Sequence, residues 1–268
     1  MTRSARACRS WTVAALLAAA LTTGLTACSS TPTHTASAPA PATAAAAPPA
    51  PLNGTGTRYR VDASASDARL YVFRGGRAAR AGHNHVIAVT EVDGEVLLPS
   101  DAAADAVFLL RVPLALLAVD LPALREQTGG AFAGERSATD IEGTRRNLLG
   151  PRGLDADTHP LVVLRSVRIE GDWPMLVART AITLRGVTRE QDLLLQVDRD
   201  ADGLRVRGEF VVRHRDFGLE PYSVLGGLLA VQDPVAVRFD LRARALREPA
   251  PPRPPGRVVQ DTDGGTPQ

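Results

Sequence analysis

The first feature able to carry chemistry is a pair of histidines two residues apart, in Gly82-His83-Asn84-His85-Val86-Ile87. In an extended strand, residues i and i+2 point to one face, so His83 and His85 would present two imidazoles side by side. Such a pair has three readings. It is a structural hydrogen-bonding pair, a contact for the polar head of a ligand, or half of a metal site that His214 or Asp216 would complete. The metal reading is short of ligands, because a structural site usually takes four and no further His or Cys cluster is visible. His159, just before Pro160, and His34, in a Pro-rich stretch, are given no role. Asp140, Glu142, Asp155 and Asp157 gather around one short segment and read as helix capping and solvation. The chain shows no Gly-x-Ser-x-Gly elbow, Gly-rich phosphate loop, HExxH or dinucleotide fingerprint. No enzyme and no metal cofactor are expected.

The cysteines carry a different chemistry. Arg3, Arg6 and Arg9 precede an uncharged, Ala- and Leu-rich run from Trp11 to Leu25, the layout of a secretory signal over residues 1–27. That run is shorter than the roughly 20 apolar residues a bilayer span needs. It ends in Leu25-Thr26-Ala27-Cys28, which resembles the lipobox of bacterial lipoproteins. The resemblance implies cleavage after Ala27 and acyl chains on Cys28, and two or more chains hold a protein stably on a membrane. Cys8 leaves with the signal, so the folded part has no disulfide and no thiolate site. Ser29 after Cys28 is similar to diderm sorting signals for the outer membrane, facing the periplasm. In a single-membrane host the same anchor would sit on the outer face of the plasma membrane.

The formal net charge of +2 comes from 31 basic and 29 acidic residues. Removing the three signal arginines leaves a mature chain at −1, which argues against nucleic acid as a partner. From residue 28 to 56 the chain is mainly Ala, Pro, Ser and Thr, too poor in bulky residues to fold, and reads as a stalk. Fully extended, it would reach roughly 85 Å at ~3.1 Å per residue. Residues 247–268 repeat this character as a disordered tail. One domain, residues 57–246, lies between them.

The elements that would position the histidines follow a period of two. Leu204, Val206, Gly208, Phe210 and Val212 share one face, with Arg205, Arg207, Glu209 and Arg213 on the other. Val235, Val237, Phe239 and Leu241 alternate with Ala236, Arg238, Asp240 and Arg242, and Leu70 and Val72 with Arg69 and Tyr71. This predicts half-buried antiparallel strands near 58–62, 67–74, 85–98, 105–119, 161–170, 174–185, 188–199, 203–213 and 233–245. About eight of these are independent. Asp93-Gly94, Gly171-Asp172, Arg185-Gly186 and Asp202-Gly203 supply turns. One helix interrupts them: Thr139-Asp140-Ile141-Glu142 looks like a capping box, and Gly150-Pro151 ends the run. The expected fold is all-β, an eight-stranded antiparallel barrel with one inserted helix. From the residues alone, the inward rows do not separate a solid core from a cavity, and the solid core is the favoured reading.

Three blocks resemble the YceI-like family of periplasmic lipid-binding proteins with a lipocalin-like barrel. They are Tyr59-Arg60-Val61-Asp62 with Arg69-Leu70-Tyr71-Val72-Phe73; Ala181-Ile182-Thr183-Leu184-Arg185-Gly186-Val187-Thr188; and Arg215-Asp216-Phe217-Gly218-Leu219, followed by Gly226-Gly227 and Val231-Gln232-Asp233-Pro234-Val235. The resemblance spans residues 57–246. It implies a lipocalin-like barrel around a long apolar cavity holding a polyisoprenoid chain, such as the tail of an isoprenoid quinone. The expected ligand contacts are then Leu70, Val72, Leu204, Val206, Phe210, Val212, Val237 and Phe239. His83 and His85, where the chain departs from the commonest family pattern, join them as candidates for the head group, for example a quinone carbonyl.

Overall fold

The computed structural model describes residues 51–246 except 202. Cys28, the expected signal over 1–27, the stalk up to residue 50 and the tail from 247 lie outside the described residues. Alternating residues become strands wherever one face can be buried. In β8 (Met175–Leu184), Leu176, Ala178, Thr180, Ile182 and Leu184 turn inward and are buried, while the residues between them are partly or fully exposed. β7 (Leu161–Asp172), β9 (Val187–Arg199), β10 (Gly203–Arg213) and β12 (Leu229–Ala245) complete the long wall. Each fully buried Val, Leu or Ile contributes about 1.5–3 kcal/mol relative to exposure. On the outer face, charges pair across strands: Arg238 lies opposite Glu209 at 3.0 Å, and Arg205 meets Asp240 at 2.5 Å.

The opposite wall is segmented. β1 (Thr57–Val61) and β2 (Asp67–Gly75) pair in turn along β12, from Tyr59↔Ala245 to Gly75↔Ala230. They occupy one place in the ring, separated by a single 3-10 turn at Ala63–Ala65. The expected strand 85–98 is in fact two, β3 (His85–Val89) against β2 and β4 (Asp93–Leu98) against β1. The expected 105–119 also splits, into β5 (Val107–Pro113) against β4 and β6 (Leu117–Val119) against β3. A 3-10 turn at Leu114–Leu116 makes that break, with the Leu114 N–H donating to the Pro160 carbonyl at 2.9 Å. A two-residue strand, β11 (Ser223–Val224), pairs with the start of β12. Counting each segmented pair as one place, the order β1–β4–β5–β7–β8–β9–β10–β12–β1 closes an eight-stranded antiparallel barrel.

Two helices, rather than one, are inserted between β6 and β7. α1 (Pro122–Thr128) starts on Pro122 with no side-chain cap, and Gly129 follows it. α2 (Ala138–Leu149) is capped by Ser137, whose Oγ accepts the Asp140 N–H at 3.1 Å. The cap therefore sits two residues before the expected Thr139, and Asp140, not Glu142, takes the third helical position. After Gly150-Pro151 the chain turns back on the helix, with Leu154 N–H on Leu148 O and Ala156 N–H on Leu149 O.

α2 completes the barrel where β6 finds no partner toward β7. Its Ile141, Leu148 and Leu149 pack on Ile87, Leu114, Leu117 and Val119. The Arg145 guanidinium donates to Leu117 O and Ala115 O at 2.5 and 2.6 Å, pairing carbonyls that a strand edge would otherwise leave open. Ahead of β1, Leu52 is buried against Leu97 and Leu109, so the segment read as the last of the stalk packs on the barrel wall.

Candidate functional site

The inward rows do not fill the barrel. They line a cavity of about 270 Å³. The lining runs from Val61, Trp173 and Ala243 at one end to Leu148, Leu154 and Leu219 at the α2 end. On β10 the wall is Leu204, Val206, Phe210 and Val212, and on β12 it includes Val237 and Phe239. Leu70 and Val72 of β2 line it as well. All eight apolar candidates from the sequence therefore face this space. Sequence reasoning missed the contributions of the segmented wall, including Ile87, Val89 and Phe108, because their strands were read as unbroken runs.

Gly208 sets the shape of one side. It lies in the inward row of β10, directly opposite Phe239. A Cβ there would stand 2.6 Å from Phe239 Cζ and 2.8 Å from Leu194 O. The Phe239 ring occupies that place, edge-on to Phe210 at 6.2 Å between centroids.

The cavity wall is almost wholly hydrocarbon. Only Trp173 and His214 among its residues carry a nitrogen or oxygen on the side chain. Trp173 Nε1–H donates to Asp101 O at 2.9 Å, and Arg199 lies 4.9 Å from the centre of its ring. His214 Nδ1 lies 2.7 Å from Asp233 O. A buried water needs two to four polar partners, and such a wall does not supply them. The space suits an apolar chain.

His83 and His85 do not line the cavity, and they take separate partners. β3 begins only at His85, so His83 stands before the strand that was expected to align the pair. His85 Nδ1 meets Asp120 Oδ2 at 2.6 Å, and His83 Nδ1 meets Arg136 Nη1 at 2.7 Å. Asp120, 1% exposed and at φ 51°, also accepts the Val86 N–H and the Arg125 guanidinium through Oδ1, at 3.1 and 2.5 Å. Arg125, 2% exposed, further donates to Asn84 O and Gly134 O. Burial pushes the Asp120 carboxyl up, but the hydrogen bonds from His85, Val86 and Arg125 outweigh it and hold it below the usual carboxylate range. Burial and then the nearby Arg136 charge push the His83 imidazole below its ordinary value. This node fastens the α1 segment to β3, and Phe132 beyond α1 adds edge-on contacts to Tyr71 and Phe73 on the outside of β2. Among the described residues no group of three or more His, Cys, Asp or Glu could hold a metal ion. The metal reading of the pair loses its geometric basis, because a cation already sits on His83.

A family profile described as the YceI-like domain matches residues 59–243. The chain belongs to the YceI-like family. BcnA of Burkholderia cenocepacia is similar to this YceI-like chain in structure, with a TM-score of 0.50 and 14% identity, covering 68% of this chain and 98% of BcnA. A domain from Saccharophagus degradans, described as polyisoprenoid binding and implicated in plant cell wall breakdown, aligns with a TM-score of 0.48 at 15% identity, covering 70% and 98% of the two chains. A Campylobacter jejuni YCEI protein aligns at 0.44 and 12% identity, covering 60% and 85%. At these identities the likeness is one of fold. No curated protein matches the chain.

Proposed function

We propose that this YceI-like chain is a membrane-tethered binding protein that carries a polyisoprenoid or similar amphiphile, such as an isoprenoid quinone, inside its barrel. One observation carries the reading: a closed barrel whose inward rows leave a continuous, nearly polar-free cavity instead of a packed core. Each methylene moved from water into such a space contributes roughly 0.8 kcal/mol. Association and chain ordering oppose this by several kcal/mol, so a long apolar chain is favoured over a short one. Leu70, Val72, Leu204, Val206, Phe210, Val212, Val237 and Phe239 are the proposed contacts.

The tether in this reading is acylated Cys28, with the Pro-rich stalk holding the barrel near the membrane that supplies the ligand. The proposed place is the outer membrane, facing the periplasm, in a diderm host, or otherwise the outer face of the plasma membrane. Extraction of the purified protein followed by mass spectrometry tests the cargo. A prenyl lipid near one-to-one with protein is the expected result, and its absence from preparations made in several hosts would overturn the reading. Cys28→Ser should move the protein out of the membrane fraction while ligand binding stays unchanged. A chain that stays membrane-bound after this change removes Cys28 as the anchor.

A further inference from the structure

His214 stands just past the inward row of β10: Leu204, Val206, Gly208, Phe210 and Val212 are each two residues apart, and His214, the first residue of the 3-10 turn His214–Phe217, lines the same cavity. His214 lines the cavity at the end where Leu219 and Leu148 of α2 also line it. The only other polar side chain of the wall, Trp173, already spends its N–H on Asp101 O. His214 is thus the one wall residue with an uncommitted polar atom, since its Nδ1 is engaged by Asp233 O and no other hydrogen bond reaches the ring among the described residues.

That single bond fixes which kind of polar group the cavity offers. A carbonyl oxygen only accepts, so Nδ1 must carry the hydrogen. In the neutral imidazole Nε2 then holds a lone pair and no hydrogen. The arrangement is held in place by local structure. The ladder between β12 and β2 shifts register between Val231 and Val235, around Pro234, which has no N–H to donate. Asp233 O is thereby available to His214, while the Asp233 carboxylate accepts the Arg215 N–H at 3.0 Å and faces the Arg213 guanidinium at 3.9 Å.

We propose that His214 is the head-group residue of the cavity: Nε2 accepts a hydrogen bond from the hydroxyl of an apolar chain, so the site prefers a prenol or a prenylated phenol or hydroquinone to a chain whose head only accepts. A quinone carbonyl or an ether placed there meets no donor from the wall. Its burial leaves two acceptors facing each other, which is the costly arrangement for polar groups removed from water. The inference rests on the cavity reading above, and it moves the head-group contact from His83 and His85 to a residue on the far side of β2.

The test is a competition titration of the full chain, purified from membranes, with geranylgeraniol and with its methyl ether. The two share a chain and differ in the O–H. Alkaline buffer keeps imidazoles neutral. The wild type should bind the alcohol about fivefold more tightly than the ether, the scale of one net hydrogen bond. His214→Leu and His214→Phe should bind the ether at least as tightly as the wild type does and show no preference for the alcohol; retained ether binding also reports that the barrel is intact. A preference that survives in both variants, or a wild type without one, overturns the assignment and leaves the cavity reading standing. Failure of the wild type to bind either compound overturns both.

Discussion

Strand β3 carries two opposite solutions to burial within a few residues. At its start, His85 joins Asp120 and Arg125 in a node where buried charges each find partners. Two and four residues on, Ile87 and Val89 face a space with scarcely a polar atom. Charge buried in the node is stabilised only by complete pairing, because an ion taken from water costs several kcal/mol. The cavity wall has no such debt, and leaves its apolar surface without a protein partner instead. One region therefore holds the domain together by specific geometry, and the other keeps apolar area in reserve for a guest. Stability and ligand binding should accordingly respond to different substitutions.

The node provides the sharpest separation. Arg125→Met leaves Asp120 buried without its guanidinium and should cost about 3–5 kcal/mol in chemical denaturation, while the folded fraction binds ligand as before. A loss below about 1 kcal/mol would mean that the α1 segment is not held by this pair. Because the Asp120 carboxyl is held below its ordinary value, its stabilisation is present above about pH 4 and fades as pH falls through the depressed value. The gap between the wild type and Asp120→Asn should narrow in acid accordingly. Gly208→Val touches both regions, since its side chain must displace Phe239 or the Leu194 carbonyl. It should cost about 1–3 kcal/mol and weaken ligand binding together, and full stability with intact binding would show that Phe239 has another place to go. Val237→Trp should act on the guest alone, cutting affinity about tenfold, or ~1.4 kcal/mol, with little change in denaturation midpoint. The smallest effect belongs to His83. Its imidazole is pushed below the ordinary value, so the unfolded chain binds the proton more readily and stability falls as pH drops below about 6.5. His83→Gln should flatten that slope, measured as thermal midpoint against pH.

The inward rows were legible because a half-buried strand writes its geometry as period two, and Leu70, Val72, Leu204, Val206, Phe210, Val212, Val237 and Phe239 all reach the cavity. The breaks were not. Leu114-Ala115-Leu116 is as apolar as the strands around it, so the turn that ends β5 leaves no mark in composition. α1 has no side-chain cap and only seven residues, too few for a helical period to show. His83 and His85 seemed a pair by spacing alone, whereas their partners Asp120 and Arg136 lie 35 and 53 residues away along the chain. Whether the rows enclosed a core or a space depends on the radius at which the ring closes, and no local pattern records that. His214 was within reach of the same period, one step past Val212, but its residue type pointed only to a partner for His83 and His85 in a metal site, whereas it opens the 3-10 turn His214–Phe217 at the end of β10.

The seam of the ring has a consequence for when the cavity comes into being. β12 is the last strand of the domain, and it pairs on one side with β10 and on the other with β1 and β2, the first. Almost the full length of the domain separates Tyr59 from its partner Ala245. Loop-closure entropy of that size makes such contacts late and slow to form. Until they form, the inward rows are one face of an open, curved sheet with a wet apolar surface, and no lumen exists. A chain still emerging, or truncated before Leu229, has no place to shelter a guest, so loading must follow folding and cannot guide it.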